Sequence, residues 1–441
     1  MRARTCIALL LLVTVSVTSL LRSPVLLAQP AIATATGQSE EFSDATIEAY
    51  RSELASLSGT YDESSGEIYL SLANALWEFG ALQEATFAFQ EALQAARING
   101  GLATDAQFTV LNQFNGLLYE TQDWEQLDTN MYIAADIARR IYSPADARYI
   151  RAMTELASWK IRAFQTRVYR PVNDRSVQEA ANIYRILMRD LEAAGQLKPE
   201  LHVKLLSSRG LAYFYSAKHV AQLPVEVFKA VSPASQSIQQ CIPTILSVDS
   251  GVQPSASACN AGASLDPEFY AAQQREKNNT VRRHLGNMRQ SFMEAIDVLE
   301  EMPDVSEREL AIAVLNLGDA NLLAGDHARA RTQYGRAWDM LEDSLELRNE
   351  LMGQPVKVLE AILDEIPRDP RMRSGNLPVN VSFDVETTGE ITNLNLEAPA
   401  EVLTQETVGA IGIRLDQTSY RPRIVDGRPV VSRLTVPASE L

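Results

Sequence analysis

The chain has 441 residues and a formal net charge of −16. A strongly acidic chain repels phosphate backbones and anionic lipid, so this composition disfavours a nucleic-acid partner. Length alone predicts two to four domains, but internal repeats take precedence over such a count.

The N-terminus has the order of charged, apolar and small residues that is typical of a secretory signal peptide. Arg2 and Arg4 precede an apolar run, and the small residues at 31–33 offer a cleavage site. We therefore expect residues 1–33 to be removed during export. Residues 34–45 contain little to bury, which predicts a disordered start to the mature chain.

An uncleaved inner-membrane anchor through residues 6–21 is the alternative. This stretch of 16 residues is shorter than the roughly 20 that are needed to cross a bilayer. Cleavage after residue 33 would remove three arginines and no acid, which moves the formal charge from −16 to −19. Mapping the mature N-terminus separates the two possibilities, because a chain that begins near Thr34 has lost the anchor.

Three segments carry the same types of residue at matching offsets. The first copy consists of Tyr69, Leu72, Ala73, Leu76, Gly80, Ala85, Phe89 and Ala92. The second copy consists of Val314, Leu317, Gly318, Asn321, Gly325, Ala330, Tyr334 and Ala337. A third, degenerate copy consists of Leu111, Phe114, Asn115, Leu118, Leu127, Met131 and Ala134.

The physical roles of these positions follow from their size. Ala73 and Gly318 must be small because a partner helix crosses closely there, and a glycine suits the turn between two helices. The aromatic residues Phe89 and Tyr334 are expected to fill the groove between neighbouring helix pairs. This pattern resembles the tetratricopeptide repeat, a helix–turn–helix unit of about 34 residues. The resemblance implies a helical solenoid over two ranges, 46–222 and 269–366.

Further helices are predicted from apolar residues at helical spacing. They cover a helix pair between 145 and 194 and single helices over 201–219, 280–302 and 341–363. The range 223–268 interrupts the array, because its five prolines make a long helix there unfavourable. Cys241 and Cys259 lie in this insertion and are the only cysteines of the mature chain, so we expect a disulfide between them.

The C-terminal residues 377–441 combine two predicted hairpins with a short helix. The first hairpin joins alternating apolar residues over 379–385 and 391–396. The second is marked by Asp426-Gly427, a dipeptide that suits a two-residue turn. Between the two hairpins, Val408, Ile411 and Leu415 are expected on one face of a helix over 404–415. The fold class is therefore mainly α, with a small α+β tail.

The order of these elements resembles the C-terminal domain of TonB-type energy transducers. The sequence motif that precedes the last strand in that family is matched by Tyr420, Pro422, Gly427, Pro429 and Val430. The earlier turn of the family's domain is matched by Gly389 and Ile391. In the family this domain engages outer-membrane transporters, whose extended segment adds a strand to its sheet. The resemblance implies a periplasmic protein with a protein or peptide partner, such as a transporter or another component of a TonB system.

Five arginines against two aspartates between 414 and 433 give the tail a basic patch on an acidic protein. A solvated strand face would explain this patch, and so would docking of an acidic partner segment. Strand addition needs an exposed sheet edge, for which we look to the final strand or its neighbour. The candidate partner-binding residues are Arg421, Arg423, Arg428, Val430, Val431 and Leu434. The same edge could also form a homodimer.

No motif predicts catalysis, a cofactor or a metal. The four histidines are scattered, without the spacing that places two ligands on one helix face, and no nucleotide-binding loop or nucleophile elbow is present. The sequence therefore favours a non-catalytic interaction scaffold. The alternatives are an accessory component of a TonB-type transport system and, third, an enzyme with an unfamiliar site.

Overall fold

The computed structural model describes residues 44–57, 62, 64–165, 175–225, 228, 267–358, 379–399 and 404–438. The predicted signal peptide, residues 34–43 of the predicted disordered start and most of the predicted insertion lie outside the described residues, whereas Asp44 and Ala45, which were also predicted to be disordered, begin the first helix. The cysteine pair Cys241 and Cys259 lies outside them too. Among the residues that are described, helix dominates, which confirms the mainly α fold class.

Twelve helices precede the tail in the described ranges. They are α1 Asp44–Ser56, α2 Ser65–Glu78, α3 Leu82–Gly100, α4 Asp105–Thr121, α5 Trp124–Ile141, α6 Ala147–Gln165, α7 Arg175–Ala193, α8 Pro199–Gln222, α9 Pro267–Glu300, α10 Glu307–Leu323, α11 His327–Met340 and α12 Leu345–Met352. From α2 to α11, each helix packs against the helix that precedes it. One hydrophobic core runs through all twelve helices.

Local sequence signals explain where these helices begin and turn. The Thr104 side chain accepts a hydrogen bond from the Gln107 backbone and caps α4. Ser306 and Glu309 form a reciprocal capping box at the start of α10. Gly80 and Gly325 follow α2 and α10 with φ values of 84° and 73°, which confirms their predicted place in the turns between helices.

The predicted close approaches within helix pairs are also confirmed. Ala73 is fully buried, and a Cβ added to Gly318 would lie 2.5 Å from a ring carbon of Tyr334. Phe89 packs on the ring of Phe114 in the following helix pair, with ring centroids 5.3 Å apart. The aromatic residue of the first repeat therefore fills the junction between two pairs, as the sequence predicts.

The helix predicted over 341–363 is wrong at residues 353–358, and its residues 359–363 lie outside the described residues. Helix α12 ends at Met352, and strand β1, Val356–Lys357, follows it. Gly353 and Pro355 explain the break, because proline cannot continue a helix and glycine disfavours its interior. The predicted array 269–366 therefore contains a strand among its described residues, and that strand pairs with β4 of the tail.

The tail holds six strands and one helix in its described residues. They are β2 Asn380–Val385, β3 Ile391–Glu397, α13 Gln405–Gln417, β4 Tyr420–Arg421, β5 Arg423–Val425, β6 Arg428–Val430 and β7 Ser432–Pro437. Strands β3, β2 and β7 form an antiparallel sheet with β2 in the centre, while β1 pairs with β4 and β5 pairs with β6. Both predicted hairpins and the helix between them are therefore confirmed.

The second hairpin turns at the predicted dipeptide. Asp426 and Gly427 have φ values of 48° and 70°, the positive pair that a tight two-residue turn requires. The first hairpin turns at Gly389, whose φ is also positive.

The tail sheet has a small core of its own, built mainly from β2 and α13. Val381, Phe383 and Val385 of β2 are buried against Ile411 and Leu415 of α13. Val408 was expected on the same helix face, but it is 43% exposed. It lies in the first turn of α13.

Glu155 on α6 gives the array a predicted pH dependence. Burial raises the pKa of its carboxyl to about 7, against the opposing effect of Arg151. The folded state therefore holds a proton that the unfolded chain loses, and stability falls as pH rises from about 4.5 to about 7.

We expect Glu155→Gln to raise the free energy of unfolding at pH 8 by about 1–2 kcal/mol and to change it little at pH 4. The value at pH 8 is discounted because the Glu155 side chain is only half-buried. Urea denaturation at the two pH values measures this difference. Exposed Glu78 on α2 provides the matched control, Glu78→Gln. Equal effects of the two substitutions at pH 8 would contradict the assignment to Glu155.

Candidate interaction surface

The edge of the tail sheet at β7 is the candidate interaction surface. Strand β7 pairs with β2 along one side, from Ser432 opposite Val385 to Pro437 opposite Asn380. Within the described ranges, no strand pairs with its other side. An unpaired strand of this length presents a row of backbone donors and acceptors, which is the structural requirement for strand addition.

The register identifies the backbone groups that lie on this free edge. The Ala438 N–H donates to the carbonyl of Val379 at 2.9 Å, which makes this a hydrogen-bonded pair. Such pairs alternate along an antiparallel ladder, so Leu434 and Val436 direct their backbone groups toward β2. Arg433 and Thr435 therefore direct their N–H and C=O groups away from the sheet. Four backbone groups are available there to an added strand.

The opposite edge of the sheet, strand β3, is less suited to pairing. Its register with β2 shifts between Ser382 and Asp384, so β3 contains a bulge. Asn393 within the bulge has a φ of 49°, and its side chain donates to Asp384. Bulges twist an edge strand away from a regular ladder, so β7 is the better template of the two.

The structure places five of the six predicted partner-binding residues near this edge or on the neighbouring hairpin. Arg423 and Arg428 are exposed on β5 and β6, and Val431, between β6 and β7, is 52% exposed. Val430 and Leu434 are half-buried, and Leu434 packs against the core of the sheet. The two valines and Leu434 therefore contribute only part of their surface to a partner, while Arg423 and Arg428 keep their charges in solvent.

Arg421 differs from the prediction. Its guanidinium is buried and binds Asp319 of α10 with two hydrogen bonds, Nε to Oδ1 at 2.8 Å and Nη2 to Oδ2 at 2.7 Å. Its Nη1 donates to the carbonyl of Leu351 at 3.2 Å. This arginine cannot meet a partner at the surface, because its side chain joins the tail to the helical array of the same chain.

Asp319 is the partner that the sequence interpretation missed. It is 0% exposed and also accepts a hydrogen bond from the hydroxyl of Tyr334 at 3.0 Å. Burial, with the adjacent carboxylate, raises the pKa of the Tyr334 hydroxyl well above its usual value, so the tyrosine remains a donor. The available signal was an acid, Asp319, in the mainly apolar part of α10 that follows its first turn, because a buried carboxylate needs a cation.

The second hairpin also packs on the array rather than on the sheet. Ile424 of β5 is buried in the core of the helices. At the turn, a Cβ added to Gly427 would lie 3.3 Å from the Cα of Gly335 on α11, so both positions are adapted to a close backbone approach. The hairpin and β4 thereby hold the tail against α10, α11 and α12.

Neither a cluster of metal ligands nor a helix that could span a membrane is present among the described residues. They contain no group of three or more His, Cys, Asp or Glu side chains that could hold a metal ion. None of the helices in the described ranges is long and apolar enough to cross a membrane. No model of a known protein family matches the chain, and no curated protein matches it.

Proposed function

We propose that this protein is an exported, non-catalytic interaction scaffold, in which a tetratricopeptide-like array supports a TonB-like tail that binds an extended segment of a periplasmic partner. The observation that carries the proposal is the free edge of β7, where the backbone groups of Arg433 and Thr435 have no strand beside them in the described ranges. An outer-membrane transporter or another component of a TonB-type system is the partner that the resemblance of the tail implies.

Charge supports an acidic partner segment. Arg423, Arg428 and Arg433 are exposed on the strands of the tail, and among the described residues an ion pair is present for Arg433 alone of the three, with Asp384 at 3.3 Å. These cations would attract an acidic strand and fix its register, although exposed pairs add little affinity by themselves. Backbone hydrogen bonds to β7 would supply the binding energy, at about 0.5–1.5 kcal/mol each.

Thr435→Pro is the variant that tests strand addition most directly. Proline removes the N–H that faces the free edge, and it leaves the ladder with β2 intact because that ladder uses Leu434 and Val436. We expect capture of the partner from a periplasmic extract to fall by roughly tenfold or more, since the ring also obstructs the approach of a strand.

The matched control is Thr435→Ala, which keeps the N–H and loses only the hydroxyl contact with Ser382 at 2.8 Å. The control should capture the same protein as the wild type, and the captured protein should slow hydrogen exchange of the Arg433 and Thr435 amides. Equal capture by the proline variant, or unchanged exchange at both amides in the complex, would show that the partner binds elsewhere.

A further inference from the structure

Helices α3 and α5 border a groove that the tail does not share. The groove has a volume of about 790 Å³. Polar side chains line both of its walls: Gln90, Gln94 and Arg97 on α3, and Gln126, Thr129 and Asn130 on α5. Both helices are the second members of their helix pairs, α2–α3 and α4–α5.

Asn130 brings an unsatisfied hydrogen-bond donor to the groove. Its side chain is 4% exposed, and its amide nitrogen Nδ2 has no hydrogen-bond acceptor among the described residues. A buried donor without an acceptor destabilises the folded state, and the great majority of buried polar groups are satisfied. Because Asn130 lines the groove, a carbonyl oxygen of a bound molecule could supply the missing acceptor.

The spacing of the amides suits an extended polypeptide. Gln90 and Gln94 are four residues apart on α3, and Gln126 and Asn130 are four residues apart on α5. Four helical residues rise by about 6 Å, and two residues of an extended chain span about 6.6 Å. Each wall therefore presents an amide roughly once per two residues of a bound strand. An amide side chain can donate and accept together, as the peptide main chain requires.

The charges and the exposed apolar side chains around the groove further restrict the kinds of ligand that fit it. Three acids, Glu91, Asp123 and Glu125, line the groove together with a single arginine, Arg97, so an acidic segment is repelled. Large apolar side chains also stand exposed on α3, where Phe87 lies one turn before Gln90 and Ile98 lies one turn after Gln94. Exposed apolar groups beside a polar groove offer contacts to the apolar side chains of a peptide.

We propose that the groove between α3 and α5 binds an extended peptide segment of neutral or positive charge, through hydrogen bonds from its amides to the peptide main chain. This preference is opposite in sign to that of the basic tail. The protein would thus hold two polypeptide segments of different charge at two separate places.

The test offers blocked random octapeptides to the full-length protein, in one pool that contains two lysines per peptide and one that contains two glutamates. Affinity selection should retain the lysine pool roughly fivefold or more over the glutamate pool. Gln94→Ala should reduce that retention by roughly fivefold, because an exposed side chain is removed from the wall without disturbing the core. Exposed Gln83 on the same helix does not line the groove, so Gln83→Ala is the matched control.

Asn130→Leu extends the test to the base of the groove and should reduce retention of the lysine pool as well. If this variant does not fold, Gln94→Ala decides the outcome alone. Thr435→Pro should leave retention unchanged, which separates this site from the β7 edge. Equal retention of the two pools, equal effects of the Gln94 and Gln83 variants, or displacement of the peptides by a neutral oligosaccharide would overturn the proposal.

Discussion

Replacing Arg421 by alanine is expected to lower the free energy of unfolding by about 3–5 kcal/mol. The substitution leaves the fully buried carboxylate of Asp319 without its cation and the Leu351 carbonyl without a donor. Urea denaturation measures the loss. Hydrogen exchange should localise it, with the largest increases in the β5–β6 hairpin and in the last turns of α10.

A double-mutant cycle provides the control for this prediction. Asp319→Ala combined with Arg421→Ala should cost less than the sum of the two single variants, because no buried charge then lacks a partner. Arg433→Ala is the matched surface variant, since the Arg433 side chain is 51% exposed and its pair with Asp384 is expected to contribute about 0–1 kcal/mol. If Arg421→Ala costs no more than Arg433→Ala, the buried pair does not hold the tail.

Gly318→Ala is expected to destabilise the protein by about 1–3 kcal/mol, although alanine is the better helix former. The new methyl group would lie 2.5 Å from Cε1 and 2.7 Å from Cδ1 of Tyr334. The ring has little room to yield, because Tyr334 is fully buried and its hydroxyl is bonded to Asp319. Thermal unfolding of the full chain measures the effect.

The control uses a helical glycine that has free space around it. A Cβ added to Gly286 on α9 meets no atom within 4 Å, so Gly286→Ala should stabilise the protein by about 0.5–1 kcal/mol. The two substitutions are chemically identical and differ only in what surrounds them. Changes of the same sign and size would show that packing against Tyr334 is not the reason for glycine at position 318.

The features that the sequence predicts well are those set by neighbouring residues. Asp426-Gly427 supplies positive φ at adjacent positions, which selects a tight turn whatever the surrounding fold. Ala73 and Gly318 mark close helix contacts because their partners follow within the same helix pair. For the same reason, the predicted hairpin 379–396 and the helix after Thr404 agree with the structure.

The features that the sequence does not predict depend on contacts between residues far apart in the chain. Arg421 and Asp319 are separated by 102 positions, and nothing local distinguishes a buried arginine from the exposed Arg423 two residues later. Strand β1 forms only because β4 provides a partner for it, so an apolar segment after α12 was assigned to helix. The groove between α3 and α5 was missed because its amides are ordinary surface residues until the two helices are placed side by side.

The bond between Asp319 and Arg421 limits how the protein can be divided. Cutting the chain before residue 377 would remove Arg421 and Ile424. The buried carboxylate of Asp319 on α10 would then lack its cation. Such a fragment would differ from the intact protein in stability as well as in composition, so lost activity could not be credited to the missing segment. The tail is therefore not a separable module. Its contribution to binding is better measured by point substitutions at β7 than by deletion of the tail.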